Sequence, residues 1–145
     1  MVIATPPLEL LLIEDSPSDV RLTAEVLREV SPAIHLTTAS DGTAALNLLA
    51  ERHRQKQAPP DLILLDLNLP LMHGHEVLER IKTTAGMRHI PIVVLTTSRA
   101  EQDALRCYEL GANALINKPV DLNGFVRTMK AFTAFWIEHA KLWRA

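Results

Sequence analysis

Cysteine is nearly absent. Cys107 is the only one in 145 residues, so no disulfide framework holds the chain together and a reducing compartment is expected. Neither sign of charge dominates: a formal net charge of −2 is not the basic field of a dedicated nucleic-acid binder. No apolar run approaches the roughly 18 residues of a membrane-spanning helix. Residues 1–7 lack the positive region and the length of a secretory leader, and they read as a flexible arm. The expectation is a cytoplasmic protein with no nucleic-acid and no membrane partner. Repeats and low-complexity linkers are missing as well. The length points to one domain, residues 8–145, and an apolar content of 48% is enough for a core.

What is present is organised around residues 61–70. Leu62, Ile63, Leu64 and Leu65 are four consecutive apolar residues without polar alternation, the pattern of a strand buried on both faces. The run ends on Asp66, and Pro70 and Gly74 then break regular structure. In an open parallel sheet, ligands bind beyond the carboxyl ends of the strands, so an acid there is placed for chemistry. The plainer alternative is an Asp that only caps a turn.

Short apolar runs alternate with amphipathic stretches along the rest of the chain. Residues 8–13 form a strand closing on Glu14 and Asp15. Ser16 and Pro17 supply an N-cap and a first helical position, followed by a stripe of Val20, Ala24, Leu27 and Val30. Residues 34–39 alternate and suit an edge strand. The next helix carries Ala45, Leu48 and Leu49 and ends in a polar run, 51–57, that reads as a solvated helix end. A helix over 75–84 turns Val77, Leu78 and Ile81 inward. Residues 90–95 are a fourth strand, followed by Thr96, and a helix over 99–110 stops at Gly111, a C′ residue. Residues 112–117 are the fifth strand, ending on Lys118 and Pro119, and from Asp121 the chain is helical to near its end. Five strands alternating with five helices form a doubly wound α/β domain with a parallel sheet, order 2-1-3-4-5.

The strand ends, taken together, carry Glu14, Asp15, Asp66, Thr96 and Lys118 on one rim. Carboxylates sharing a pocket raise one another's proton affinity unless a cation neutralises them, and hard oxygens suit Mg²⁺. A lysine and a hydroxyl opposite can hold the oxygens of a transferring phosphoryl group. Asp66, the central acid, is the candidate nucleophile.

With these motifs in these places the sequence is similar to the receiver domain of response regulators in two-component signalling, from about Leu8 to the last helix. It is closest to the stand-alone receivers associated with bacterial phytochromes. The segments 14–21, 64–70, 94–98 and 108–113 carry that likeness, with Phe135 and Trp136. The resemblance implies a flavodoxin-like (βα)5 fold and a signalling domain rather than an enzyme with a diffusing substrate. Asp66 would accept a phosphoryl group from the phosphohistidine of a sensor histidine kinase, a bacteriophytochrome being the kind the subgroup implies. Asp15, Asp66 and the main-chain carbonyl of Asn68 would bind Mg²⁺, with Glu14 acting through a metal-bound water. Lys118 would pair with the phosphoryl oxygens and Thr96 would move to hydrogen-bond them. The Lys118–Pro119 bond is expected cis. Leu115 stands where receivers often carry a switching aromatic, and His73 where the subgroup commonly has an acid; His73 and His75 make a transition-metal site conceivable, with exposed loop histidines as the default.

Three rival readings fit less well. Haloacid-dehalogenase-like hydrolases resemble a pattern with the nucleophile on the first strand. A flavodoxin-like flavin carrier wants a phosphate loop where Glu14 and Asp15 stand. A pseudo-receiver used only for docking would not need the full acid, hydroxyl and lysine set.

The last helix has a surplus. A strand of about six residues spans ~20 Å and is covered by ~13 helical residues. Phe125, Met129, Phe132 and Trp136 form a core stripe, but Trp136, Ile137, Leu142 and Trp143 extend past that length. Either the tail folds back or it buries against a partner. The expectation is a symmetric homodimer on helix four, strand five and helix five, with Phe135, Trp136, Leu142 and Trp143 at its interface. The alternative is a docking or dimerisation module indifferent to phosphorylation.

Overall fold

The computed structural model describes residues 7–31 and 33–143. The elements, in chain order, are β1 (Leu8–Ile13), α1 (Pro17–Val30), β2 (Ile34–Ala39), α2 (Gly42–Arg54) and β3 (Leu62–Asp66). They continue with α3 (Gly74–Lys82), β4 (Ile92–Thr96), α4 (Glu101–Glu109), β5 (Ala114–Asn117) and α5 (Leu122–Thr133). All four strand pairings are parallel and the order is β2-β1-β3-β4-β5. Of the expected amino-terminal arm, residues 1–6 lie outside the described residues.

Strand periodicity divides the core in two. Leu11, Ile13, Ile63, Leu65, Ile92 and Val94 meet α2, α3 and α4 through Leu49, Leu78 and Cys107. The alternate residues Leu10, Leu12, Leu62, Leu64, Val93 and Leu95 meet α1 and α5 through Leu27, Phe125 and Met129. Every residue of β3 and β4 is buried, as continuous apolar runs between two helical layers require. β2 pairs on one side only and is half-buried, which is why its sequence alternates.

Local signals place the helix ends. Ser16 Oγ accepts from the Asp19 N–H at 3.3 Å, with Pro17 at the first helical position. Asp41 Oδ1 accepts from the Ala44 N–H at 2.7 Å. Gly111, at φ +103°, closes α4: its N–H reaches the Tyr108 carbonyl and that of Ala112 the Cys107 carbonyl, the paired bonds of a Schellman ending.

The carboxyl terminus departs from expectation. The chain leaves α-geometry after Thr133, widens into a π-helical segment over Ala134–His139, and then runs irregularly. Trp136, Ile137 and Leu142 pack on the α1/α5 side of the core, and Trp143 meets His89 edge-on at 4.6 Å. The tail thus folds back on its own domain instead of projecting as a helix, which takes these apolar groups out of water.

Candidate functional site

Register explains why the acids meet. Ile13 of β1 pairs with Leu65 of β3, so Glu14 and Asp66 each follow at adjacent strand ends, with Asp15 next along the chain. Ligand oxygens of Glu14, Asp15 and Asp66 lie within 4.8 Å of one another; Glu14 and Asp66 are buried and Asp15 is exposed. Asp66 shares its strand face with Leu62 and Leu64, the α1/α5 face. Its Oδ1 accepts from the Asn68 N–H at 3.2 Å.

One ammonium answers these acids. Lys118 Nζ donates to Glu14 Oε1 at 2.7 Å and Asp19 Oδ2 at 3.2 Å, and lies 3.8 Å from Asp66 Oδ2. Burial alone would push the lysine's pKa down; the hydrogen bond to Glu14 and the charges of Asp66, Glu14 and Asp19 outweigh it and leave it raised. Glu14 is raised too, first by burial and then by Asp66, against the pull of Lys118. Among the described residues the carboxylates of Glu14, Asp15, Asp19 and Asp66 outnumber the one ammonium set among them. Three hard carboxylate oxygens converging with that deficit fit a small divalent cation.

Thr96, fully buried, ends β4 on the face of Ile92 and Val94, towards α3 and α4. Its Oγ1 accepts from the Ser98 N–H at 3.0 Å. Ser98 Oγ donates to Asp103 Oδ2 of α4 at 2.6 Å, and the Ser98 carbonyl accepts from Asn117 Nδ2 of β5 at 2.6 Å. Acceptor acid and hydroxyl thus end adjacent strands, and the hydroxyl holds the loop whose Ser98 ties α4 to β5.

A family model described as the response regulator receiver domain matches residues 10–130. The chain belongs to the response regulator receiver family. Response regulator Rcp1 of Synechocystis sp. is 40% identical over 140 residues, covering 96% of this chain and 95% of its own. The crystal structure of the phosphorylated cyanobacterial phytochrome response regulator RcpA aligns with a TM-score of 0.87 at 36% identity, over 94% of this chain and 98% of that one. The Mn²⁺-bound form of response regulator Rcp1 gives 0.84 at 38%, over 94% and 99%. Its relatives thus include phytochrome response regulators.

Within this receiver the remaining expected residues fall unevenly. Asn68 is exposed, its Nδ2 3.5 Å from Thr97 Oγ1. Leu115 is half-buried against the α2/α3/α4 core, and its N–H donates to the Tyr108 hydroxyl at 3.2 Å. The expectation for Pro119 is corrected: no cis peptide bond occurs among the described residues. Trans is the lower-energy form of an X–Pro bond by about 0.5–1 kcal/mol, and the loop makes its fixing bond, Lys118 N–H to the Thr96 carbonyl at 2.7 Å, with it. His73 is the N-cap of α3, its Nδ1 accepting from the His75 N–H at 3.1 Å. His75 is half-buried in α3 rather than an exposed loop residue, and neither joins a three-residue metal group among the described residues. Of the expected interface residues, Phe135 and Trp143 are exposed, whereas Trp136 and Leu142 are partly spent on the chain's own core.

Sequence reasoning missed Asp19, Ser98, Asp103 and Asn117 in this receiver. Asp19 carried one usable signal. It stands in the first turn of a helix that begins directly after the Glu14–Asp15 pair, so its carboxylate starts close to the pocket. The other three are ordinary polar residues whose partners lie in different elements, and no spacing reveals them.

No helix among the described residues is long and apolar enough to cross a membrane.

Proposed function

We propose that the chain is a phosphoacceptor signalling domain in which Asp66 receives a phosphoryl group from the phosphohistidine of a sensor histidine kinase, in the cytoplasm. The observation that carries this reading is the ammonium of Lys118 set between Glu14 and Asp66 beside an acidic triad. An Asp66 carboxylate oxygen attacks phosphorus in line while the P–N bond to the donor imidazole breaks; the imidazole nitrogen keeps the bonding pair and takes a proton from solvent. Lys118 offsets the charge on the phosphoryl oxygens. Glu14, Asp15, Asp66 and the carbonyl of Asn68 are the residues that would hold Mg²⁺, which when bound neutralises the acids and the incoming phosphoryl group. The Mn²⁺-bound relative supports a divalent ion there, as the phosphorylated relative supports the acceptor role.

Thr96 leaves the Ser98 N–H to bond a phosphoryl oxygen and carries the loop between β4 and α4 with it. With Leu115 in place of an aromatic, that movement is accommodated by aliphatic repacking rather than ring rotation. The output is the surface of α4, β5 and α5, which exposes Leu105, Tyr108 and Leu122, a set suited to homodimerisation with Phe135 and Trp143 of the tail contributing. The kinase partner best supported is a bacteriophytochrome, since several relatives serve phytochromes.

Intact mass after incubation with acetyl phosphate and Mg²⁺ tests the chemistry. Wild type should gain one hydroxylamine-labile phosphoryl group and Asp66→Asn none; labelling of both refutes the assignment. Sedimentation velocity with and without phosphorylation tests the dimer, which a monomer in both states would rule out.

A further inference from the structure

The ammonium of Lys118 has three donors and three acids within reach, and they are not equally served. Glu14 at 2.7 Å and Asp19 at 3.2 Å take hydrogen bonds, while Asp66 at 3.8 Å is left outside hydrogen-bond range. The three also differ in exposure. The side chain of Glu14 is 4% exposed and that of Asp66 9%, against 47% for Asp19. Asp19 is therefore the member that water can replace at least cost. Its place is nonetheless fixed, because its own N–H is capped by Ser16 Oγ at the start of α1. Beside the pair lies a cavity of about 220 Å³ lined by Asp19, Leu22, Lys118, Pro119 and Phe125, so the lysine stem is not locked by packing on that side.

We propose that Asp19 is a positioning residue for Lys118. It draws the ammonium towards α1 and keeps it off Asp66 until a phosphoryl group arrives. The inference rests on the phosphoacceptor reading for its purpose and on the geometry alone for its existence. Without Asp19 the lysine's third donor turns to Asp66, the oxygens of Asp66 are partly neutralised, and a cation approaching the acids meets a positive charge closer by. Asp19 thereby leaves Asp66 free to ligate and to attack. When the aspartyl phosphate forms, its oxygens outbid the half-exposed Asp19 and the lysine transfers to them.

A double-mutant cycle on Mn²⁺ affinity, read from the free-ion EPR signal, tests this without any phosphorylation step. Asp19→Asn should weaken Mn²⁺ binding about threefold, the size of effect that one half-exposed ion pair supports, and Asp19→Glu should restore most of it. In a Lys118→Met background, Asp19→Asn should change nothing. A loss of the same size in both backgrounds would mean that Asp19 only adds charge to the field, and overturns the proposal, as does no loss in either. Should Lys118→Met fail to fold, the ¹H–¹⁵N resonance of the Lys118 ammonium in wild type and Asp19→Asn decides instead. It should shift in the variant, and an unmoved resonance refutes the role. If Asp66 proves not to accept a phosphoryl group while the cycle closes as expected, the functional reading falls and the positioning role stands.

Discussion

Neutralising Asp66 is the perturbation whose outcome is most closely bound to the geometry. Asp66→Asn removes one carboxylate from a group of three whose oxygens lie within 4.8 Å, and with it the 3.8 Å pairing to Lys118. Two repulsions and one attraction of similar range disappear, so one repulsion's worth of strain is relieved. A unit-charge pair at about 4 Å is worth ~1 kcal/mol in water and ~4 kcal/mol at an effective dielectric of ~20. With Glu14 and Asp66 buried and Asp15 exposed, an intermediate value of about 2 kcal/mol is expected. For 145 residues, at about 2.1 cal/mol/K each, that raises Tm by about 6–7 °C in EDTA. Mg²⁺ should act the other way round. At a hundred times its Kd it stabilises wild type by about 2.7 kcal/mol, which is about 9 °C, and Asp66→Asn by much less. Thermal melts followed by circular dichroism, with NaCl matching ionic strength, read both shifts. If Asp66→Asn melts no higher than wild type in EDTA and Mg²⁺ moves the two equally, the acids do not form one cation-dependent pocket.

Three further outcomes follow from the packing. A Cβ on Gly74 would lie 2.6 Å from the Leu67 Cα and 2.8 Å from the Asp66 carbonyl; Gly74→Ala should destabilise by about 2–3 kcal/mol in urea melts and slow labelling of Asp66. Burial, then Asp103, pushes the Cys107 thiol up to about 11. The native protein should therefore resist alkylation at pH 8 and react at once in denaturant. A thiol raised by folding stabilises below its unfolded pKa and loses that contribution as pH climbs towards the folded value, so Cys107→Ser should flatten the stability loss between pH 9 and about 11. His75 is held below its ordinary value, first by burial and then by the charge of His73. A lowered histidine stabilises the fold above its unfolded pKa and loses that contribution as pH falls through the folded one. Wild type should thus lose more Tm than His75→Gln on acidification below about 6.5.

Most of the fold was legible because each element carries its own punctuation. Pro17 after Ser16, Gly111 after α4 and the uninterrupted Leu62–Leu65 run specify starts, stops and burial without reference to the rest of the chain. The strand-end acids, hydroxyl and lysine were legible as a group because a parallel sheet brings all its carboxyl ends to one rim. The tail was not. Phe125, Met129 and Phe132 sit in the core stripe as their spacing implies, but nothing in it marks where α-geometry gives way at Ala134. The hydrogen bonds of Asp19 to Lys118 and of Ser98 to Asp103 and Asn117 are tertiary, and a linear pattern holds no record of them. The trans bond at Pro119 shows the same limit, since an isomer is chosen by contacts and not by residue type.

Both tryptophans of the sequence, Trp136 and Trp143, lie past the last regular α-helical residue. One is laid against the α1/α5 core and the other against His89 in the loop that enters β4, at the end of the strands away from the acids. Intrinsic emission is consequently blind to events at the rim itself. Any change in it on adding cation or phosphodonor would record information that has already crossed the thickness of the protein, which gives this chain a built-in optical gauge of transmission rather than of occupancy.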